Sequence, residues 1–123
     1  KRKITHIFGS AALRDVTKRP LMGKISAEYA DTIILTEEDY RTENLIDIFD
    51  QIESGIKGVK PVTRIDNRGD AIMHAIGNAR KGDIILATGK AHEKSLARGT
   101  VEYEWDEFAA IRNALKKRNA KKR

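Results

Sequence analysis

The stretch DTIILT, residues 31–36, places three consecutive aliphatic residues between polar ones. Strict alternation of apolar and polar residues is typical of a half-exposed strand, whereas a continuous apolar run indicates a strand covered on both faces, as in parallel sheets. DIILAT (83–88) repeats this pattern, and ITHIF (4–8) and PVTRI (61–65) are two further candidate strands. TVEYEW (100–105) is a weaker fifth candidate. These runs predict a mainly parallel sheet.

Helical periodicity separates the predicted strands. In four stretches, apolar residues recur every three or four positions, which predicts helices that each bury one face. The four sets are Leu21, Ile25 and Tyr29; Leu45, Ile48, Phe49 and Ile52; Ile72, Ala75, Ile76 and Ala79; and Phe108, Ile111 and Leu115. Pro20 suits the first turn of the first helix, Thr42 is the predicted N-cap of the second, and Asp66 or Asn67 of the third. The alternation of strands and helices predicts a three-layer α/β fold, with residues 1–123 forming one domain.

The charge and composition of the chain exclude several classes of functional site. The chain of 123 residues has a net charge of +6 and no cysteine, which excludes disulfides, thiolate metal sites and cysteine nucleophiles and suits a reducing cytosol. The positive excess lies in a basic tail, KKRNAKKR (116–123), which we interpret as a solvated helix end. An anion-binding or RNA-binding tail is the alternative. No apolar run approaches the roughly 20 residues of a membrane span, and no signal peptide is visible.

The predicted topology indicates where a ligand would bind. In open parallel sheets, ligands lie outside the carboxyl ends of the strands. The loops at that edge are 9–19, 37–43, 66–70 and 89–99, and all four are rich in charged residues. The connections at the opposite edge contain little beyond turn residues. We therefore expect the functional site at the carboxyl edge.

The first two of these loops contain candidate anion-binding residues. Arg14 could hold a carboxylate bidentately, and Lys18 and Arg19 could add positive potential. In the second loop, Arg41 is another guanidinium and Asp39 could accept from an ammonium group. Composition alone leaves open the alternatives of local ion pairs in the first loop and a helix start in the second.

The third and fourth loops complete the pattern. Arg68 in the third loop lies at a predicted helix start and is interpreted structurally. Gly89 frees the backbone at the end of a strand, and Lys90, His92 and Glu93 follow. The spacings of a zinc site, a P-loop and a G-x-G-x-x-G loop are all missing from the sequence. Arginines, a glutamate and an accessible backbone together suit a small zwitterion such as an amino acid.

Four motifs give this pattern a family resemblance. IFGSAALRDVTKRPLMGKIS, ILTEEDYRTE, DNRGDAI and ATGKAHEKS occur in this order, and together they resemble the C-terminal domain of the Mur ligases. In the family's first motif, Gly-Asp-Arg-Asp followed by Lys-Arg-Pro and Met, the matching residues are Arg14, Asp15, Lys18, Arg19, Pro20 and Met22, whereas Leu13 departs. In its Gly-Lys-Gly-His-Glu motif, Gly89, Lys90, His92 and Glu93 match and Ala91 departs. The resemblance covers nearly the whole chain.

The resemblance implies a Rossmann-like fold, with the family's first strand and helix absent from this chain. It also implies a role in an ATP-dependent ligase of peptidoglycan synthesis, which adds a diamino acid, meso-diaminopimelate or lysine, to UDP-MurNAc-L-Ala-D-Glu. ATP and Mg²⁺ would be bound mainly by a central ATPase domain of the same protein. The implied enzyme is cytoplasmic, with no nucleic-acid or membrane partner, and the fragment alone is expected to be inactive.

The resemblance also implies roles for individual residues. The amino-acid-binding residues would be Arg14, Asp39, Arg41, Gly89 and Glu93. The supporting or phosphate-side residues would be Asp15, Lys18, Arg19, Lys90 and His92. Neither a metal ligand nor a catalytic residue is expected in this domain.

The second motif bears on specificity. Glu38, Asp39, Tyr40 and Arg41 stand where family members specific for diaminopimelate have Asp-Asn-Pro-Arg. Arg41 favours the extra carboxylate of diaminopimelate, whereas the added charge of Asp39 favours the ammonium group of lysine. We prefer diaminopimelate. The alternatives are the C-terminal domain of a cyanophycin-type or folylpolyglutamate-type ligase, a non-catalytic homologue, and an anion-binding or RNA-binding α/β module.

Overall fold

The computed structural model describes residues 2–12 and 15–121. The strands are β1 (Ile4–Phe8), β2 (Thr32–Leu35), β3 (Val62–Arg64), β4 (Ile84–Ala87), β5 (Ser95–Arg98) and β6 (Val101–Glu104). The helices are α1 (Lys18–Tyr29), α2 (Leu45–Ile56), α3 (Arg68–Asn78) and α4 (Glu107–Lys121). Among these described residues, no helix has the length and apolar content to cross a bilayer.

The main sheet has the strand order β3-β2-β1-β4, and all of its strand pairs are parallel. Helices α1 and α2 pack together on one face, and α3 and α4 pack together on the other. This is the predicted three-layer α/β fold. All the candidate strands are present, the weaker fifth one as β6.

Strand β5 was not predicted. It lies within the segment 89–99 that the sequence analysis treated as a loop, and it pairs antiparallel with β6 as a separate hairpin. Its connection to β6 is a tight turn at Gly99, where φ is +59°. Such a turn requires a residue that tolerates positive φ, and glycine does so without steric cost.

The apolar run of β2 divides between two cores. Ile33 and Leu35 enter the core under α1 and α2, and Ile34 enters the core under α3 and α4. The two-sided burial expected for 84–86 is only half correct. Ile85 packs against the second core, but Ile84 and Leu86 are 49% and 47% exposed because β4 is an edge strand that α1 does not cover.

Helix α1 packs with a different face from the one predicted. The stripe Leu21, Ile25 and Tyr29 is exposed, so its prediction as the inward face is wrong. The buried face is formed by Arg19, Gly23, Ser26 and Ala27. A Cβ on Gly23 would lie 2.0 Å from the carbonyl oxygen of Ile52 in α2. The two helix backbones therefore approach too closely for large side chains between them.

The other helices follow their periodicity more closely. The predicted stripes of α2 and α3 are buried except for Leu45 and Ala79, which are half-buried. In α4 the buried apolar residue is Ala114, and Phe108 and Leu115 are 43% and 44% exposed. The N-cap of α3 is Asn67, as predicted. The N-cap of α2 is Asn44 rather than Thr42, because the Asn44 side chain accepts bonds from the N–H groups of the first helical turn.

Replacing Gly23 with alanine tests the close approach of α1 and α2. We expect Gly23→Ala to lower the free energy of unfolding by about 2 kcal/mol or more, because the new methyl group overlaps backbone that cannot move alone. Gly77→Ala in α3 is the matched control, since a Cβ there meets no heavy atom within 4 Å. Helix propensity should make that change stabilising by up to about 1 kcal/mol. If Gly23→Ala and Gly77→Ala change the free energy of urea unfolding equally, the close packing of α1 on α2 would be contradicted.

Candidate functional site

The loops at the carboxyl ends of the strands contact one another. The amide of Ala12 in the first loop donates to the backbone carbonyl of Asp39 in the 37–43 loop at 3.0 Å. The Lys90 ammonium in the 88–94 loop donates to the Asp39 carboxylate at 2.7 Å. These segments are far apart in sequence but form one surface, at the edge where the sequence analysis expected the site.

Asp39 fastens the 37–43 loop to its neighbours. One carboxylate oxygen accepts from Lys90 Nζ, and the other accepts from the backbone N–H of Ala97 in β5 at 2.8 Å. Partial burial works against the charged form, but these two bonds and the charges of Lys90 and Arg41 hold the Asp39 pKa below its usual range. Both oxygens are thus engaged, and the ammonium group that Asp39 holds here is that of Lys90.

Two residues of this loop adopt left-handed backbone conformations. The φ angles of Asp39 and Arg41 are +44° and +51°, and non-glycine residues rarely adopt such values. Tyr40, between them, packs against the core under α1 and α2, and the Arg41 carbonyl accepts from Gly99 N–H at 2.7 Å. Anchors on both sides therefore hold the strained segment.

The Arg41 side chain extends into solvent from this anchored backbone. Within the part of the chain that the structure describes, its guanidinium makes no hydrogen bond and no ion pair. The loop that holds Arg41 is fixed, but the cation itself is available to an external anion.

Glu38 is a site residue that the sequence analysis missed. Its carboxyl packs directly against Gly89, so that a Cβ at position 89 would lie 2.3 Å from Glu38 Oε1. The φ of Gly89 is +103°, which also requires glycine. The positions of Glu38 and of the Gly89 backbone are therefore coupled. The available signal was the run of three acidic residues at 37–39, of which only Asp39 was considered as a ligand contact.

The environment of Glu38 changes its ionisation. Burial raises the pKa of the Glu38 carboxyl to about 7. Four charged side chains also act on it: Arg68 and Lys90 lower this pKa, whereas Asp39 and Glu93 raise it. This carboxyl therefore changes its charge near neutral pH and would ionise more readily beside a bound cation.

The rest of the 88–94 loop divides into an inner and an outer part. The Lys90 side chain is 2% exposed, and its ammonium lies 3.6 Å from the carboxylate of Glu93. The Glu93 side chain is 57% exposed and can reach a ligand. The exposed His92 ring lies against Phe108, with the ring centroids 5.9 Å apart.

The first loop is built around Arg19, which was predicted to add positive potential on the phosphate side. Its guanidinium is fully buried and forms a bidentate ion pair with Glu43. It also donates to Ser10 Oγ at 3.1 Å and to the Ala11 carbonyl at 3.0 Å. Arg19 thus shapes the loop from within, and its assignment as a supporting residue on the phosphate side stays a prediction.

The remaining predicted residues of this loop differ in position. The Asp15 carboxylate accepts from the Thr17 hydroxyl and from the Thr17 backbone N–H, and these two bonds hold its pKa below the usual range. Asp15 and Lys18 are both exposed. Arg14 lies outside the described residues, so its proposed contact with a carboxylate stays a prediction.

A buried ion-pair network lies beneath the two central loops. Arg68, at the first turn of α3, forms a bidentate pair with Glu107 of α4 at 2.9 and 2.8 Å. Arg98 of β5 forms a second bidentate pair with Glu37 at 2.6 and 2.7 Å. From the sequence, Arg68 is recognisable only as part of a helix start, because the partners of a buried arginine lie far away along the chain.

The sequence of this chain is similar to a family model and to proteins of known name. A family model described as "Mur ligase, glutamate ligase domain" matches residues 1–91. The chain is 42% identical over 110 residues to the UDP-N-acetylmuramoyl-L-alanyl-D-glutamate–2,6-diaminopimelate ligase of Caldanaerobacter subterraneus subsp. tengcongensis, with 89% of this chain and 23% of that protein covered. It is 41% identical over 118 residues to the UDP-N-acetylmuramyl-tripeptide synthetase of Roseiflexus sp., with coverages of 92% and 23%.

The structural comparison agrees with these relatives. A solved structure of a UDP-N-acetylmuramoyl-L-alanyl-D-glutamate–2,6-diaminopimelate ligase superposes with a TM-score of 0.90 at 30% identity, covering 97% of this chain and 25% of that one. The chain thus spans about a quarter of the length of the relatives it matches.

The raised pKa of Glu38 predicts a pH-dependent stability difference. Its carboxyl keeps its proton in the folded state up to a pH of about 7 but loses it near 4.5 when unfolded, so it lowers stability as the pH rises through that interval. The Glu38→Gln variant has no carboxyl to ionise at this position, so its free energy of unfolding should not fall for this reason as the pH rises. Its excess stability over the unmodified chain should grow from near zero at pH 4 to about 2–3 kcal/mol at pH 8.

Urea unfolding at several pH values measures this difference. Glu28→Gln on the exposed surface of α1 controls for the removal of one carboxylate. A stability difference for Glu38→Gln that does not change with pH would contradict the predicted ionisation.

Proposed function

The chain belongs to the Mur ligase family, and on that premise we propose that it is the amino-acid-binding domain of an ATP-dependent ligase of peptidoglycan synthesis. The ligase would add a diamino acid to UDP-MurNAc-L-Ala-D-Glu. The observation that carries the proposal is the junction of the 37–43 and 88–94 loops, where Glu38 packs on Gly89 and Lys90 pairs with Asp39. Among the described residues, this junction gathers the Arg41 guanidinium, the carboxyls of Glu38 and Glu93, and the accessible backbone of Gly89.

The charges of the junction suit a zwitterion. Arg41, which has no partner among the described residues, would hold a ligand carboxylate bidentately. The exposed carboxylate of Glu93, the Glu38 carboxyl and the Gly89 carbonyl would accept from a ligand ammonium group. Arg14 would add a second guanidinium, as the family resemblance implies.

The bound amino acid would supply the attacking amine. In the proposed reaction, the D-Glu carboxylate is activated as an acyl phosphate, and the amine attacks its carbonyl carbon. The C–N bond forms, the bond to phosphate breaks, and the amine loses its proton. This domain would hold the amine in place, which converts an encounter in solution into an oriented attack.

ATP would supply the phosphoryl group, and we assign ATP and Mg²⁺ to a central domain outside this chain. Among residues 2–12 and 15–121, no group of three His, Cys, Asp or Glu side chains is placed to hold a metal ion. Lys18 and His92 are exposed and remain the candidates for contact with the phosphate side. The chain alone would be inactive, and its UDP-linked substrate and ATP favour a cytoplasmic location.

The charge state of the site favours diaminopimelate over lysine. Asp39 was the main argument for lysine, but its carboxylate is already neutralised by Lys90 at 2.7 Å. Arg41 stays available for the extra carboxylate of diaminopimelate. The name of the relative from Caldanaerobacter gives the same preference and disfavours a cyanophycin-type or folylpolyglutamate-type substrate.

An NMR titration of the chain tests the proposed function. We expect meso-diaminopimelate to shift the amide resonances of residues 37–43 and 88–94, with weaker shifts for lysine and none for glutamate. The physical reason is that lysine lacks a second carboxylate for Arg41 and glutamate lacks a second ammonium group for the carboxyls of the junction, whereas diaminopimelate carries both. Shifts confined to the basic end of α4, or no shift with any of the three, would contradict the proposal.

Removing the Arg41 side chain tests specificity. Arg41→Ala should raise the Kd for diaminopimelate by about tenfold or more, since a charge-assisted bidentate pair contributes at least about 1.5 kcal/mol, and should change the Kd for lysine little. Arg80→Ala, at the opposite edge of the sheet, controls for the lost charge. Equal effects of Arg41→Ala on both ligands would show that Arg41 does not read the extra carboxylate.

A further inference from the structure

We propose that Arg68 is a positioning residue of the amino-acid site, which sets the separation between the 37–43 and 88–94 loops. This inference rests on the proposed function, because those loops contain the residues assigned to the ligand. Arg68 itself is completely buried and cannot touch a ligand in solution.

The guanidinium of Arg68 bonds to both loops at once. Nη1 donates to the backbone carbonyl of Glu37 at 3.2 Å, and Nη2 donates to the backbone carbonyl of Thr88 at 2.8 Å. These carbonyls immediately precede Glu38 and Gly89, the two residues that pack on each other at the surface. A rigid planar group between the two backbones therefore determines how far apart Glu38 and Gly89 lie.

Glu107 determines the orientation of this group. Its carboxylate accepts from Nε and Nη2 of Arg68 at 2.9 and 2.8 Å, and its Oε1 also accepts from the Trp105 indole N–H at 3.0 Å. A bidentate pair fixes the plane of the guanidinium as well as its position. Helix α4, which has no residue assigned to the ligand, thereby orients the group that spaces the loops.

The backbone of Arg68 is fixed from the same side. Its N–H donates to the Glu37 carboxylate at 3.0 Å, and that carboxylate also holds Arg98 of β5. Lysine cannot replace this arrangement, because its donors radiate from one nitrogen and do not span two carbonyls and a carboxylate in a plane. The contribution of Arg68 is thus the geometry of its donors in addition to its charge.

Arg68→Lys tests the inference, with Arg64→Lys as a matched control. Arg64 also bonds two carboxylates, those of Asp50 and Glu53, but it contacts neither loop carbonyl. In NMR titrations with meso-diaminopimelate, we expect Arg68→Lys to raise the Kd by about tenfold or more, since a changed separation of the two loops would cost the ligand at least one charge-assisted hydrogen bond. The free variant should also show shifted amide resonances at Glu38 and Gly89. Arg64→Lys should change neither observable.

A milder variant covers the case in which Arg68→Lys does not fold. Trp105→Phe keeps Arg68 and removes one hydrogen bond from Glu107, and should move the Glu38 and Gly89 resonances in the same direction and raise the Kd by a few-fold.

Variants that lose thermal stability but keep these resonances and the Kd would overturn the inference and leave Arg68 as a purely structural residue. If the unmodified chain binds none of diaminopimelate, lysine and glutamate, the proposed function fails and this inference fails with it. If the unmodified chain binds and Arg68→Lys binds equally well, only the inference fails.

Discussion

The buried pair between Arg68 and Glu107 is the constraint on which the carboxyl edge depends. Two charges that leave water lose several kcal/mol of hydration each, and only close pairing with further hydrogen bonds offsets that loss. The additional bonds come from the two loop carbonyls and the Trp105 indole, so the requirements of one ion pair organise the backbone around it. Removing one partner would leave an uncompensated buried charge, which typically costs about 3–5 kcal/mol.

The charged residues of the edge fall into an inner and an outer set. Arg19, Arg68 and Lys90 are all buried and are each paired with a carboxylate of another segment. Arg41 and Glu93 are exposed and lie on the backbone that the inner pairs hold in place. The inner charges thus determine the geometry, and the outer charges can be used for recognition. A surface of this kind can change its specificity at the outer positions without losing its support.

The sequence predicted the layers of this fold better than the details of its site. Hydrophobic spacing is set by burial, so β2, α2 and α3 could be read from the chain directly. The same rule failed for α1, because Gly23 lets two backbones meet and leaves the apolar stripe of that helix outside. The spacing of apolar side chains does not predict a backbone contact that forms where a glycine has no side chain.

The site residues show a related limit. Family motifs identified Gly89, Lys90 and Glu93 as members of one loop. Composition, however, could not distinguish a cation that faces solvent from a buried cation that is paired with a carboxylate. Arg19 and Arg41 look alike in the sequence, and what separates their roles is the set of partners around Arg19, namely Glu43, Ser10 and the Ala11 carbonyl. Glu38 was overlooked because its importance depends on a contact with Gly89, which lies about fifty positions away along the chain.

The source of Glu107 has a consequence for biosynthesis. This carboxylate belongs to α4, whereas both loops that it helps to hold precede α4 in the chain, the first of them beginning at residue 37. During translation, the guanidinium of Arg68 would leave the ribosome well before its counter-charge, since synthesis proceeds at about 5–20 residues per second. The nascent sheet can pair its strands in that interval, but the recognition surface acquires its final shape only after α4 has been made. A polypeptide released before α4 would lack the Glu107 carboxylate that pairs with the Arg68 guanidinium.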